Sequence, residues 1–271
     1  YIKLIGVLFS CAKHTVAIAK NVKIPINNFF ILTPLFCLYF PIILLQSQID
    51  ILYRLCLNNF IGRESMRKDT IKMNWFYIAV SLMLFILFAA AVIYIPETTY
   101  YDRELLTYIQ GLLVQYPTFF AQRVSNFGGE CWLLWPQLTA LSALFSHKKY
   151  FDGILLVIFT QIAWHFTDFI KDYVKRERPC GNEMNWGYSF PSGHSVTTMC
   201  FYGIVIYLVL HYVKNKFWRY FLTTICGLFI FLVMISRWKL NVHYPTDVFA
   251  GLCWGFMLVN LYIIIQKFFE K

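Results

Sequence analysis

From Trp75 to Ile95 the chain runs for a full helical membrane length without a single charge. A segment apolar on every side finds no place on the surface of a soluble domain. A bilayer accommodates it, because an α-helix of about 20 residues crosses the hydrocarbon with every backbone hydrogen bond satisfied internally. Comparable runs follow at about 131–145, 151–170, 195–213, 218–235 and 248–265. The expected fold class is therefore all-α: a polytopic membrane helical bundle with a six-transmembrane-helix core. The composition agrees, with 59% hydrophobic and 14% charged residues and a mean hydropathy of +0.56.

The formal net charge of +10 does not point to nucleic acid. Its Lys and Arg residues sit in short clusters between apolar runs, where the positive-inside tendency places them. The stretch 66–72 anchors the start of the first span in the cytoplasm, which puts the segment from Pro96 to Gly129 on the outer side. That segment mixes Asp102, Arg103, Glu104 and Arg123 with aromatics, as expected of a helix lying along or dipping into the interface and ending near Phe127-Gly128-Gly129. His147-Lys148-Lys149 and the pair Lys214 and Lys216 then fall inside. Lys171, the region from Pro179 to Pro191, and the region from Ser236 to Asp247 all fall outside.

Residues 1–65 fit this plan less well. Lys13 and His14 interrupt one apolar run, and Pro34 and Pro41 interrupt another. They are read as an N-terminal hydrophobic extension, either one extra span or a re-entrant hairpin. Met66 or Met73 ahead of a long apolar span reads as a natural start, which would leave 1–65 dispensable, with 66–271 as the membrane domain. Of the eight cysteines, Cys37, Cys200, Cys226 and Cys253 lie inside apolar runs, as small core residues do. Cys131 and Cys180 map to the same outer surface, where oxidation could join them. No CxxC pair or His/Cys spacing suits a metal, so neither metal nor cofactor is expected.

Three blocks carry chemistry. Lys171 and Arg178 are seven residues apart, two turns on one side if the helix continues, with Pro179 then ending it. A guanidinium fork and an ammonium together suit a phosphoryl group. Ser192-Gly193-His194 stands just before an apolar run, where free N–H groups and a serine hydroxyl form an anion site. His194 is then placed to protonate a leaving alkoxide. Arg237 precedes His243 and Asp247, which are four apart around Pro245, a residue tolerated in a first helical turn. Asp247 would hold one imidazole nitrogen protonated and leave the other lone pair free to attack phosphorus, with Arg237 neutralising the phosphoryl oxygens. Asp168, one turn before Lys171, could orient that lysine.

In this order and topology, Lys-x6-Arg-Pro, Pro-Ser-Gly-His and Ser-Arg-x5-His-x3-Asp resemble the motifs of the type 2 phosphatidic acid phosphatase superfamily. It includes lipid phosphate phosphatases, phosphatidylglycerophosphate and undecaprenyl diphosphate phosphatases, glucose-6-phosphatase and vanadium haloperoxidases, and the likeness covers about residues 70 to 268. The resemblance implies a six-helix core and metal-independent hydrolysis. It implies His243 as nucleophile, Asp247 as its partner and His194 as general acid, with Lys171, Arg178, Ser192, Gly193 and Arg237 binding phosphate. The dense apolar spans argue against the soluble haloperoxidase branch. The expected partners are the bilayer and a membrane lipid phosphate: undecaprenyl diphosphate, phosphatidylglycerophosphate or the phosphate of lipid A. The expected place is a bacterial inner (plasma) membrane with the site facing the periplasm or exterior. A phosphotransferase using the same intermediate stays open, as does a transporter.

Overall fold

The computed structural model describes residues 63–180 and 187–269, with side chains from Ile71 onward apart from those of Glu130 and Cys131. All of them belong to the unit spanning 61–271. Residues 1–62 of the expected N-terminal extension therefore lie outside the described residues, as does the side chain of Cys131, the proposed partner of Cys180.

The described residues form helices joined by turns: α1 (Arg63–Tyr94), α2 (Glu97–Leu112), α3 (Thr118–Asn126), α4 (Glu130–Ser146), α5 (Tyr150–Val174), α6 (Gly193–Tyr212), α7 (Lys216–Lys239) and α8 (Pro245–Phe269). Five segments are long and apolar enough to cross a membrane: Ile71–Tyr94 within α1, and α5, α6, α7 and α8. The sixth expected span is the 17-residue α4. At 1.5 Å per residue it is about 26 Å long against about 30 Å of hydrocarbon. Among the described residues, length and composition thus mark five of the six expected spans, with α4 about one turn short of the full hydrocarbon thickness.

The segment expected at the interface contains two helices rather than one. Pro117 starts α3 anew after the end of α2. Thr98, Asp102 and Leu106 recur every four residues on α2 and form its buried stripe, whereas Tyr100, Tyr108 and Leu112 are exposed. This is the pattern of a helix lying on a bundle, apolar bodies outward and polar anchors inward.

The expectation that Pro179 ends α5 is corrected. The helix stops at Val174 because Lys175 turns left-handed, at φ 52°, and its N–H closes on the Lys171 carbonyl at 2.8 Å. Residues 175–178 are non-helical, so Arg178 reaches its position on a loop and not two turns along a helix from Lys171.

At the centre, α6 packs against α5, α7 and α8, and α8 is covered in turn by α1. Without a hydrophobic drive between helices in lipid, close backbone approach at small residues supplies the attraction. Gly251 and Gly255, one turn apart on α8, provide it. A Cβ on Gly251 would lie 2.7 Å from the Ser192 carbonyl oxygen, and one on Gly255 would lie 2.7 Å from that of Val196. Backbone cannot yield as a side-chain tip can. Gly251→Ala is expected to cost about 1–3 kcal/mol of stability, seen as a lowered thermal midpoint in detergent, and to reduce activity because Ser192 is displaced. Gly227→Ala on α7, where a Cβ meets nothing within 4 Å, should leave the midpoint unchanged or raise it. Equal midpoints for the two variants would refute this account of α6–α8 packing. Cys200, Cys226 and Cys253 are buried, as expected of small core residues.

Candidate active site

The end of α5, the start of α6, the end of α7 and the start of α8 meet at one end of the bundle, and each delivers part of the predicted constellation. Lys171, in the last turn of α5, donates through Nζ to Asp168 Oδ1 at 2.9 Å. Its Nζ would be 3.5 Å from a Cβ on Gly193, so the ammonium lies over the first residue of α6. Ser192 is the N-cap of α6 and is fully buried. Its N–H donates to the Asp247 carbonyl at 3.0 Å, and its hydroxyl accepts from Ser195 Oγ at 3.0 Å. His194, half-buried, leans towards the turn before α4, where a Cβ on Gly129 would come within 3.2 Å of its Nε2.

The turn between α7 and α8 carries the second histidine. Asn241 takes a left-handed φ of 57°, which a short amide side chain tolerates, and its N–H donates to the Trp238 carbonyl. The chain then folds back so that Val242 donates to the Arg237 carbonyl, and Pro245 starts α8. Asp247 Oδ2 accepts the Tyr244 N–H at 2.9 Å, the return bond of a helix-start box. This places Oδ2 3.7 Å from His243 Nδ1. The two groups face each other as expected, at a distance longer than a hydrogen bond.

On the other side of the ring, His243 Nε2 is 3.3 Å from Arg178 Nη1. A guanidinium has donors only, so Nε2 must present its lone pair and the ring hydrogen belongs on Nδ1, facing Asp247. Burial, with the charges of Arg237 and Arg178, pushes the His243 pKa down to about 3 against the upward pull of Asp247. The imidazole is thus neutral at physiological pH. Arg178 also donates to the carbonyls of Gly187 at 2.9 Å, Tyr188 at 3.1 Å and Val242 at 3.1 Å, tying the approach to α6 to the His243 turn. Burial lowers its pKa from the ordinary arginine value. Arg237 is buried and donates through Nη1 to Ser125 Oγ of α3, while its Nε has no hydrogen-bond partner among the described residues.

All eight residues expected from the sequence therefore lie at this end of the bundle. Four groups were missed. Arg176 donates to Asp247 Oδ1 at 2.6 Å, to Thr246 Oγ1 at 2.7 Å and to Asp102 Oδ2 of α2 at 2.7 Å. Asp102 also accepts from the Thr246 hydroxyl and, at 3.3 Å, from its N–H. Burial pushes the Asp102 carboxyl up to about 6, against the downward pull of Arg176 and Thr246. Arg176 is destabilised as a cation by burial, but Asp247 and Asp102 outweigh this and raise its pKa. Gly129 is the fourth, read from the sequence only as a helix terminator. The one local signal for Arg176 was its place between Lys171 and Arg178.

Fold and site together define a class: a polytopic membrane phosphatase with histidines and arginines gathered at one end of a helical bundle. Residues 149–271 match the family model described as the PAP2 superfamily. That stretch contains all eight predicted site residues. The chain is similar to phosphatidylglycerophosphatase B of Bacillus subtilis (strain 168), with 29% identity over 204 residues, covering 72% of this chain and 96% of that protein. In fold it resembles the crystal structure of a transmembrane PAP2-type phosphatidylglycerolphosphate phosphatase from Bacillus subtilis. The TM-score is 0.65 at 23% identity, over 72% of this chain and 98% of that one.

Proposed function

We propose that this protein hydrolyses the phosphate of a membrane lipid at the outer face of the membrane, through a phosphohistidine on His243 and without a metal ion. The observation that carries this reading is the buried His243 imidazole, with Nε2 3.3 Å from Arg178 Nη1 and Nδ1 facing Asp247. In the first step Nε2 attacks phosphorus, the P–O ester bond breaks, and His194 protonates the departing alkoxide. In the second, His194 takes a proton from water, whose oxygen attacks phosphorus; the N–P bond breaks and inorganic phosphate leaves. Arg178, Arg237 and Lys171 offset charge on the phosphoryl oxygens, and Arg237 Nε, without a partner among the described residues, is a donor suited to one of them. Asp102 and Asp247, the buried carboxylates beside the histidine, are already committed to Arg176, which is why no metal is invoked.

The outward orientation rests on charge at the opposite end of the bundle, where Lys148, Lys149, Lys214, Lys216 and Lys267 cluster, as on cytoplasmic faces. This sidedness supports reading the protein as one of the inner (plasma) membrane with the site towards the periplasm or exterior. Among substrates, phosphatidylglycerophosphate comes first because a relative's name specifies it, ahead of undecaprenyl diphosphate and lipid A phosphate. The test is phosphate release by purified protein in detergent with EDTA across these three lipids. Turnover in EDTA, fastest on phosphatidylglycerophosphate, is expected. Activity appearing only on adding a divalent cation would overturn the metal-free mechanism, and transfer to a lipid hydroxyl without phosphate release would make the protein a phosphotransferase.

A further inference from the structure

We propose that Arg176 is a positioning residue for this reaction, holding the Asp247 carboxylate at the angle that orients His243 and locking it to the interfacial helix α2 through Asp102. The inference rests on the reading of His243 as nucleophile. Arg176 is buried, yet the chemical steps above leave it no role at phosphorus. Its Nη1 takes Asp247 Oδ1 at 2.6 Å, and its Nη2 takes Asp102 Oδ2 at 2.7 Å. The guanidinium carbon stacks 4.2 Å from the centre of the Tyr244 ring, next in sequence to His243.

The two Asp247 oxygens are thereby assigned different tasks. Oδ1 is held by Arg176, which stops the carboxylate rotating, so Oδ2 stays on the Tyr244 N–H and faces His243 Nδ1. A planar guanidinium can bridge the two carboxylates in fixed geometry, whereas an ammonium serves as a point charge. Without Arg176, Asp102 and Asp247 would be two buried carboxylates sharing no cation between them. Asp247 would then turn away or take up a proton, and either event removes the acceptor that faces Nδ1–H.

The same arm fixes α2 to the His243 turn. Asp102 accepts from Thr246, Arg103 donates to Tyr244 Oη at 3.3 Å, and Gln110 donates to the Trp238 carbonyl at 2.9 Å and to Asn241 Oδ1 at 3.1 Å. Lys239 Nζ closes the far end on the Leu113 carbonyl at 2.9 Å. An amphipathic helix at the membrane surface is thus fastened along its length to the segment that carries the nucleophile. Arg176 and the Tyr244 N–H join this set of contacts to the two oxygens of the Asp247 carboxylate.

The test compares wild type, Arg176→Gln and Arg176→Lys in lipid phosphate release, with His243→Asn alongside. For Arg176→Gln we expect kcat to fall about 100-fold, the scale of a misoriented reacting group, with KM within about threefold because no phosphate contact is lost. Arg176→Lys should recover part of kcat, again at unchanged KM. A KM that rises in step with the loss would make Arg176 a phosphate ligand, and wild-type kcat in a folded Arg176→Gln would remove its role; either overturns the proposal. If Arg176→Gln does not fold, Arg176→Lys decides: reduced kcat at unchanged KM upholds the proposal, and wild-type kcat overturns it. An active His243→Asn would instead show that the nucleophile reading has failed. An inactive His243→Asn beside a fully active Arg176→Gln would show that only the positioning role has.

Discussion

His243→Asn is expected to reduce lipid phosphate release by about 1,000-fold or more, because it deletes the atom that forms the bond to phosphorus. Asparagine keeps a buried polar group of similar reach in the turn before α8, so the bundle should retain its thermal midpoint. The loss should fall on kcat, since Arg178, Arg237 and Lys171 remain to hold the phosphate. Quenching wild type during turnover of a lipid labelled in its phosphate should trap a protein-bound label that is acid-labile and base-stable, as an N–P bond is. The variant should trap none. Retained turnover or retained label in His243→Asn would exclude this nucleophile.

Arg178→Ala should lower kcat/KM by about 100- to 1,000-fold, the effect of deleting one preorganised charge donor. Arg178 touches His243 Nε2 and three backbone carbonyls, so its removal takes away a cation at the attacking atom and also the tie between residues 187–188 and Val242. Arg178→Lys should recover little of the loss. One ammonium on a flexible stem cannot meet carbonyls of Gly187, Tyr188 and Val242 while also facing an imidazole. The comparison is made by kcat/KM on the preferred lipid together with the thermal midpoint. Wild-type activity in Arg178→Lys would show that charge alone is needed there and that the fork geometry is not.

Much of the site was legible because its parts are local. Ser192-Gly193-His194 and His243-x3-Asp247 each lie within one turn of a helix start, and spacing along the chain sets their mutual placement. Arg176 was not legible. As a letter in the sequence it is one more basic residue after an apolar run, and its partner Asp102 is 74 residues away on a helix that reads as ordinary interface. Gly129 was hidden for the same reason, since the His194 ring that lies against it belongs to a distant segment.

The sequence by itself determined that the chain is a helical membrane protein and where its crossings lie, because burying backbone in hydrocarbon admits few solutions and hydrophobic length reports them directly. It also determined which residue types would carry the chemistry. Tertiary structure decided the rest. A left-handed Lys175 ends α5 at Val174, and the loop it releases lets Arg178 reach His243 while Arg176 turns to Asp247 and Asp102. Which of two neighbouring arginines faces the nucleophile and which faces its carboxylate depends on where distant helices place the acceptors, and no local spacing records that.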